Sequence, residues 1–543
     1  RFGFRTVQFV AGGLYLNGQR VELRGLDRHQ SYPYQGYAMP DSIQRLDAQL
    51  LKKELGCNAV RTCYAPPSPA FLDACDELGL LVFPEMPGWQ HIGDEVWQAQ
   101  ALQNCREMVC QYRSHPSIFL WGARISGSPD NEAFYKRTNE AIHRLDPTRP
   151  TAGTRSTRKS QLLEDVYAYN DYSYAGRGAG CENRAAVTPD TRKGYLISEF
   201  GGQNFPAKPF DDEPHRLVQA LHHAAVLNDS IAQPGVAGSF GWCMTDYNTH
   251  REFGSGDRIC YHGVMDLFRN PKLSAAVYAS QKTPRAPSDI VLEVSSAMTL
   301  GDLPGGAAAA CWVFTNAESV RLYRDNDFIA EFSPDRRGRF AALPHPPIEV
   351  QDFVGSLLEK YEGLDPVVAP QVAAILNEMR RDALSLSPLS RARLLSLRLS
   401  WNDLLRMYYK YIGVLGSPSS VYRFEAVWHG RTVRTVVREP VQSVRLECTV
   451  YNPLLTDGPT WDCAAVSLRA IDQNGNFLPY CGEAVQLSVE GPVRILGPSV
   501  VPLRGGMAGT YLATTGRAGR AVLHCKMEGA LDTEAVLTVR KRS

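Results

Sequence analysis

Two periodicities divide the chain. Between Gly13 and about Ala279, short apolar runs alternate with stretches whose apolar positions fall three and four residues apart. The first pattern predicts buried strands and the second amphipathic helices. The stretch from Gly13 to Gly25 predicts a hairpin leading into a strand. Helices are expected over residues 42–55, 69–78, 95–113, 130–145 and 215–227. Strands are expected over 57–62, 80–85, 118–121, 151–153, 166–169, 195–198 and 238–244. About eight such units in about 270 residues suit a (β/α)8 TIM barrel. An open doubly wound sheet would want a glycine-rich turn after its first strand, and Gly25-Leu-Asp-Arg-His29 is not one.

After Pro284 the pattern changes. Strands at sandwich spacing are expected over 290–295, 309–314, 320–323 and 328–332, with turns at Asn316, Asp325-Asn-Asp327 and Arg336-Arg-Gly338. Leu343-Pro-His-Pro-Pro347 stops them, and residues 348–416 turn helical. Their apolar stripes are Val354, Leu357, Leu358 and Tyr361, then Val372, Ile375, Leu376 and Met379, then Leu404, Leu405 and Tyr408. Such stripes are core faces. Strands return over 421–427 and 432–437. Further strands at 443–450, 464–470, 485–489, 503–510 and 521–525 make a second sandwich. The expected architecture is multidomain. A TIM barrel occupies 1–285, an immunoglobulin-like β-sandwich with a helical insertion (348–416) occupies 286–440, and a second such sandwich occupies 441–543.

Composition narrows the function classes. A net charge of +1 argues against nucleic-acid and membrane-surface roles. No apolar run is long enough to span a membrane. The start, Arg1-Phe-Gly-Phe-Arg-Thr6, is neither a signal nor a transit peptide, and resembles the middle of a strand, as in a fragment. The 13 cysteines are odd in number and form no C-x-x-C pair, which fits buried reduced thiols in a cytosolic protein. Asp472-Gln-Asn-Gly-Asn476 lacks the acidic twelfth position of a calcium loop and is a hairpin turn. No metal site or cofactor is expected.

The candidate chemistry lies at strand ends. Tyr195-Leu-Ile-Ser-Glu-Phe-Gly-Gly202 carries Glu199 at the carboxyl end of a buried strand, where barrels keep catalytic groups. Asp27 and His29 follow the first strand, Arg61 ends the second, and Trp242 ends the last with Asp246 just beyond. Glu85, Asn170 and Asp171 also fall at strand ends. Arginine, carboxylates, an amide and an aromatic platform together suit a sugar, whose hydroxyls they bind and whose apolar face the indole covers. Taken singly, Arg61 could be an internal ion-pair partner, Trp242 a core ring and His29 a structural histidine.

Several runs resemble glycoside hydrolase family 2. They are Leu26-Asp-Arg-His-Gln30, Asn58-Ala-Val-Arg-Thr62, Phe71-Leu-Asp-Ala-Cys-Asp-Glu-Leu-Gly79, His115-Pro-Ser-Ile-Phe-Leu-Trp-Gly122, Ile197-Ser-Glu-Phe-Gly201 and the Trp242 segment. The resemblance implies a retaining glycosidase, with Glu199 as nucleophile, Arg61 in the active site and Trp242 lining the sugar pocket. It also implies an acid/base Glu within Trp-Gly-x-Arg-Ile-Asn-Glu-Ser. Here that run is Trp121-Gly-Ala-Arg-Ile-Ser-Gly-Ser128, so Ser126 and Gly127 replace the Asn and the catalytic Glu. Asp130 and Glu132 follow closely, but they open the next helix. Tyr64 stands where the family has His, and Gln203 where close relatives carry His. The family's glucuronidases carry an Asn-x-Lys element that Arg258-Ile-Cys-Tyr-His-Gly263 lacks, which favours a galactoside. Of the family's domains ahead of the barrel, only Gly3-Phe-Arg5 resembles a remnant.

Two expectations follow. One is a β-galactosidase-type hydrolase impaired at its acid/base. The other is a non-catalytic carbohydrate-binding or scaffold homologue. Either takes a carbohydrate partner, with no nucleic acid or membrane, and leaves homo-oligomerisation open.

Overall fold

A computed structural model describes residues 3–249, 256–298, 310–381, 384–412 and 420–542. Eight parallel strands form the first unit: β1 (Leu23–Arg28), β2 (Ala59–Thr62), β3 (Leu81–Pro84), β4 (Trp121–Gly122), β5 (Thr151–Arg155), β6 (Val166–Asn170), β7 (Gly194–Gly201) and β8 (Val236–Trp242). They pair in the order β3-β2-β1-β8-β7-β6-β5-β4. Parallel bridges Val82–Ile118 and Glu85–Gly122 join the two ends and close the barrel. Because both faces of such strands are covered, they appear as continuous apolar runs.

The helices are α1 (Asp41–Gln49), α2 (Pro69–Leu78), α3 (Glu95–Tyr112), α4 (Glu132–Leu145), α5 (Arg184–Val187), α6 (Glu213–Ala232) and α7 (Leu273–Ala279). Local chemistry sets their ends. Asp94, Asn131 and Asp212 cap α3, α4 and α6 by accepting the Trp97, Phe134 and His215 backbone N–H groups. The helix expected over 42–55 is α-helical only to Gln49. It finishes as a π-helical turn, Leu50–Glu54, that keeps Leu50, Leu51 and Leu55 buried. The amino-terminal hairpin is a three-stranded meander, Val7–Val10, Gly13–Leu16 and Gln19–Val21. Its Val7, Phe9, Leu14 and Leu16 pack with Leu23, Phe83, Leu196 and Phe240 of the barrel strands.

Next come a three-stranded sheet (Leu292–Val294, Trp312–Thr315, Ile348–Glu349) and a four-stranded sheet (Ser319–Arg324, Asp327–Phe332, Tyr422–Trp428, Arg431–Arg438). Position 309 of the strand expected there, and the expected end of the helical stretch at 416, lie outside the described residues. The helices between the strands are α8 (Leu357–Glu362), α9 (Ala369–Arg381), α10 (Pro388–Ser396) and α11 (Trp401–Tyr411). Val372, Ile375, Leu376, Met379 and Leu404 share one core with Val313, Val320 and Phe424. The helices therefore widen the sandwich's core. Tyr361 departs from its expected stripe: it is 53% exposed, and its hydroxyl donates to Asp327 at 2.8 Å.

The last sandwich stacks a four-stranded sheet on a five-stranded one. The strand expected over 503–510 begins at Met507 and runs to Thr514, because Gly505 and Gly506 turn the chain with positive φ. The Asp472 segment is the expected turn, with the Asp472 carboxylate accepting the Asn474 and Asn476 N–H groups at 2.8 Å. All 13 cysteines are free, most of them buried. Among the described residues no helix is long and apolar enough to cross a membrane.

One buried carboxylate organises the barrel surface that meets the last sandwich. Asp47 on α1 accepts from Arg28 (2.9 Å), Tyr32 (2.8 Å) and Arg269 (3.0 and 3.2 Å). Beside them Tyr32 and Phe268 contact the Tyr511 ring, and Asn270 donates to the Ala508 carbonyl. Removing Asp47 would strand two buried guanidiniums. Asp47→Ala should cost about 3–5 kcal/mol in urea denaturation followed by tryptophan fluorescence. A change within about 0.5 kcal/mol would contradict this.

Candidate active site

The site is built around one guanidinium. Arg61 and Asp27 are direct cross-strand partners at the carboxyl ends of β2 and β1. Arg61 Nη1 donates to Asp27 Oδ1 (3.1 Å), Glu199 Oε2 (3.1 Å) and the Ser198 carbonyl (3.2 Å). Nη2 donates to Glu85 Oε2 (2.9 Å) and Ser126 Oγ (3.1 Å). One fork thus gathers groups from the ends of β1, β3 and β7 and from the loop after β4.

Glu199 sits on β7 just past a register shift and opposite Asn170 of β6. Asn170 Nδ2 donates to Oε2 at 3.2 Å, and the Tyr172 hydroxyl donates to Oε1. Ser198 Oγ in turn donates to Asn170 Oδ1 at 3.0 Å, fixing that amide's orientation. On the far side Thr154 donates to Glu85 Oε1 at 2.5 Å. Every oxygen of Glu199 and Glu85 therefore has a donor.

Three buried carboxylates share one guanidinium, which leaves an excess of negative charge. Burial raises the Glu199 carboxyl to about 7; Arg61 opposes this, and neighbouring Glu85 adds to it. Burial likewise holds Asp27 well above the usual carboxylate range, against the pull of Arg61. His29 goes the other way: burial and then Arg61 push its imidazole down to about 4, so it is neutral at pH 7.

The residue after Ser126, which touches the cluster, has no carboxylate. Gly127 has φ +67°, and a Cβ there would meet only Gln90 Cγ at 3.5 Å, which is ordinary contact. Asp130 is not free to substitute. It pairs with Arg124 (2.7 Å) and accepts from Ser160 (2.6 Å) and the Gln161 N–H (3.0 Å). Burial alone would raise its carboxyl, but these hydrogen bonds outweigh burial and hold it below the usual range. Glu132 is exposed in the first turn of α4.

A family model described as "Glycosyl hydrolases family 2, TIM barrel domain" matches residues 7–284, just over half of the chain. The chain belongs to glycosyl hydrolase family 2. It is 37% identical over 508 residues to a β-galactosidase of Thermoanaerobacterium thermosulfurigenes, covering 93% of this chain and 63% of that one. It is also 37% identical over 525 residues to a β-galactosidase of Thermoanaerobacter pseudethanolicus, covering 96% and 62%. It therefore spans less than two thirds of the length of these relatives. Among solved structures, a β-glycosidase from Bacteroides vulgatus superposes with a TM-score of 0.70 at 16% identity, over 99% of this chain and 67% of that one. That likeness concerns the fold alone.

The remaining residues singled out in this family 2 chain fall into two groups. His29, Tyr64 and Trp242 meet in one aromatic cluster, together with Tyr247, His262 and Trp89. Trp242 fits closely because the residue that follows β7 is Gly202. A Cβ on Gly202 would lie 2.3 Å from the indole, and its φ of +60° suits glycine. Asp246, by contrast, is buried in an ion pair with Lys272 (2.6 Å) and accepts the Gly263 N–H at 2.8 Å. Asp171 holds its own loop by accepting from Ser173 and the Glu182 N–H. Gln203 is exposed. Tyr172, which donates to Glu199, is the residue of this cluster that strand-end reasoning misses. It lies in a loop two residues after Asn170, and that spacing was its one signal.

The raised Glu199 carboxyl has a measurable consequence. The folded state binds a proton there that the unfolded chain releases near pH 4.3, so this group's contribution to stability falls as pH rises through about 7. Glu199→Gln should therefore gain stability over the parent between pH 5 and pH 8, on the order of 2 kcal/mol. Paired thermal melts at the two pH values measure it. An offset that does not change with pH would show that Glu199 is not strained by burial.

Proposed function

We propose that this chain carries the catalytic barrel of a retaining β-glycosidase of the galactosidase type, with Glu199 as nucleophile and the acid/base position vacated at Gly127. The observation that carries this is Glu199, fixed by Arg61, Asn170 and Tyr172 at the carboxyl end of β7. Galactosides are preferred because the two relatives at 37% identity are β-galactosidases and because residues 258–263 lack the glucuronidase pair.

In the first half-reaction the ionised Glu199 oxygen bonds to the anomeric carbon as the glycosidic C–O bond breaks. Arg61 and Asn170 keep that oxygen in place. No side chain at position 127 protonates the leaving oxygen, so it must depart as an anion. A general acid typically contributes ~10²–10⁴-fold. Glycosides with poor leaving groups should be slow by that factor, and activated aryl glycosides much less so. In the second half-reaction water must attack the glycosyl ester without a general base. A second reading, a barrel that binds carbohydrate or serves as a scaffold without turnover, is favoured by the commitment of Asp130 to Arg124, which leaves no substitute acid.

The test is hydrolysis of an activated aryl β-galactoside by the full chain, with and without azide, beside a Ser126→Asn/Gly127→Glu variant. Azide attacks without losing a proton, so it should accelerate the parent. The double variant should hydrolyse without azide. A Cβ at position 127 has space, although φ +67° costs it about 1–2 kcal/mol. Covalent labelling of Glu199 by a 2-fluoro-galactoside should rise with pH through about 7, because only the ionised carboxylate attacks. Absence of both turnover and label in parent and variant would leave the binding reading.

A further inference from the structure

Trp242 is the platform on which a pyranoside would lie, and it is already covered. Its side chain is only 4% exposed. Tyr64 lies nearly parallel to it, with ring centroids 5.6 Å apart and planes 22° apart. His29 and Tyr247 meet the indole edge-on at 5.0 and 5.9 Å. Beyond Tyr64 the stack continues to Trp89 at 6.1 Å, and Trp89 is 46% exposed. A sugar ring between two aromatic faces needs about 3.5–4 Å on each side, hence about 7–8 Å between the rings. The observed 5.6 Å leaves no such gap.

The backbone holds this ring in place. The Gly88 N–H donates to the Tyr64 carbonyl at 3.1 Å, and two residues on the Gln90 N–H donates to the Ser126 carbonyl at 2.8 Å. The short loop carrying Trp89 is thus tied on one side to Tyr64 and on the other to the segment of Gly127. The two places where this chain departs most from its family's pattern are joined through that loop.

We propose that Tyr64 is an affinity-limiting plug, filling the space over Trp242 so that a pyranoside reaches Glu199 only when the Tyr64 ring is displaced. This rests on the glycosidase reading for the identity of the ligand, and on geometry alone for the covering of Trp242. The plug weakens binding without abolishing it, because the ring that backs Tyr64 on its outer side, Trp89, is itself half exposed.

Two measurements on the full chain test it: acrylamide quenching of Trp242, taken as the difference from Trp242→Phe, and calorimetric binding of a galacto-configured cationic iminosugar. Tyr64→Ala should raise the quenching and tighten iminosugar binding at least about tenfold. Tyr64→Phe keeps the ring and should match the parent in both. Unchanged quenching in Tyr64→Ala would overturn the plug whatever the sugar does. Raised quenching with equal affinity in parent and Tyr64→Ala would overturn it as a limit on sugar binding. Raised quenching with no iminosugar binding in any form would uphold the covering and bring down the glycosidase reading instead.

Discussion

Arg61 stands between three carboxylates that would otherwise repel one another in a region closed to water. Its planar fork presents N–H groups in fixed directions, so the carboxylates are held by direction as well as by charge. Asp27, Glu85 and Glu199 come from the first, third and seventh strands, and the fork sets how those three strand ends stand to one another. The charge does not balance, and burial first, with the neighbouring carboxylates adding to it, raises the proton affinity of Glu199 and Asp27. A purely structural core would avoid such an arrangement. It is the kind of local strain expected where a fold holds a reactive group ready.

Much of this was legible in the chain. The barrel strands are buried on both faces, so each appears as an unbroken apolar run, and the polar residue that ends each run marks the barrel mouth. Asp27, Arg61, Glu85, Asn170 and Glu199 were found in that way. Asp246 was placed beside them by the same logic, yet it serves Lys272. A strand-end position does not say which way a side chain turns. Tyr172 escaped because its role exists only once the loop after β6 folds back over β7. In the sandwiches, strands at Leu454–Asp457, Val493–Leu496 and Thr533–Lys541 went unread. They are short, lie at sheet edges or alternate with charged residues, and so carry little apolar signal of their own.

A structural role for a single residue does not exclude a functional one. Arg61 is an internal ion-pair partner and also the organiser of the site. Trp242 is a covered ring, and the platform role proposed for it depends on what Tyr64 does. The residues around a site, rather than its reactive group, thus decide whether the group meets anything.

The backbone of Gly127 has settled in a left-handed conformation where glycine alone is at ease. Any side chain placed there must strain the turn it enters, at about 1–2 kcal/mol, although its Cβ would have room. The cost of a substitution at this position is thus set by the backbone and not by its neighbours.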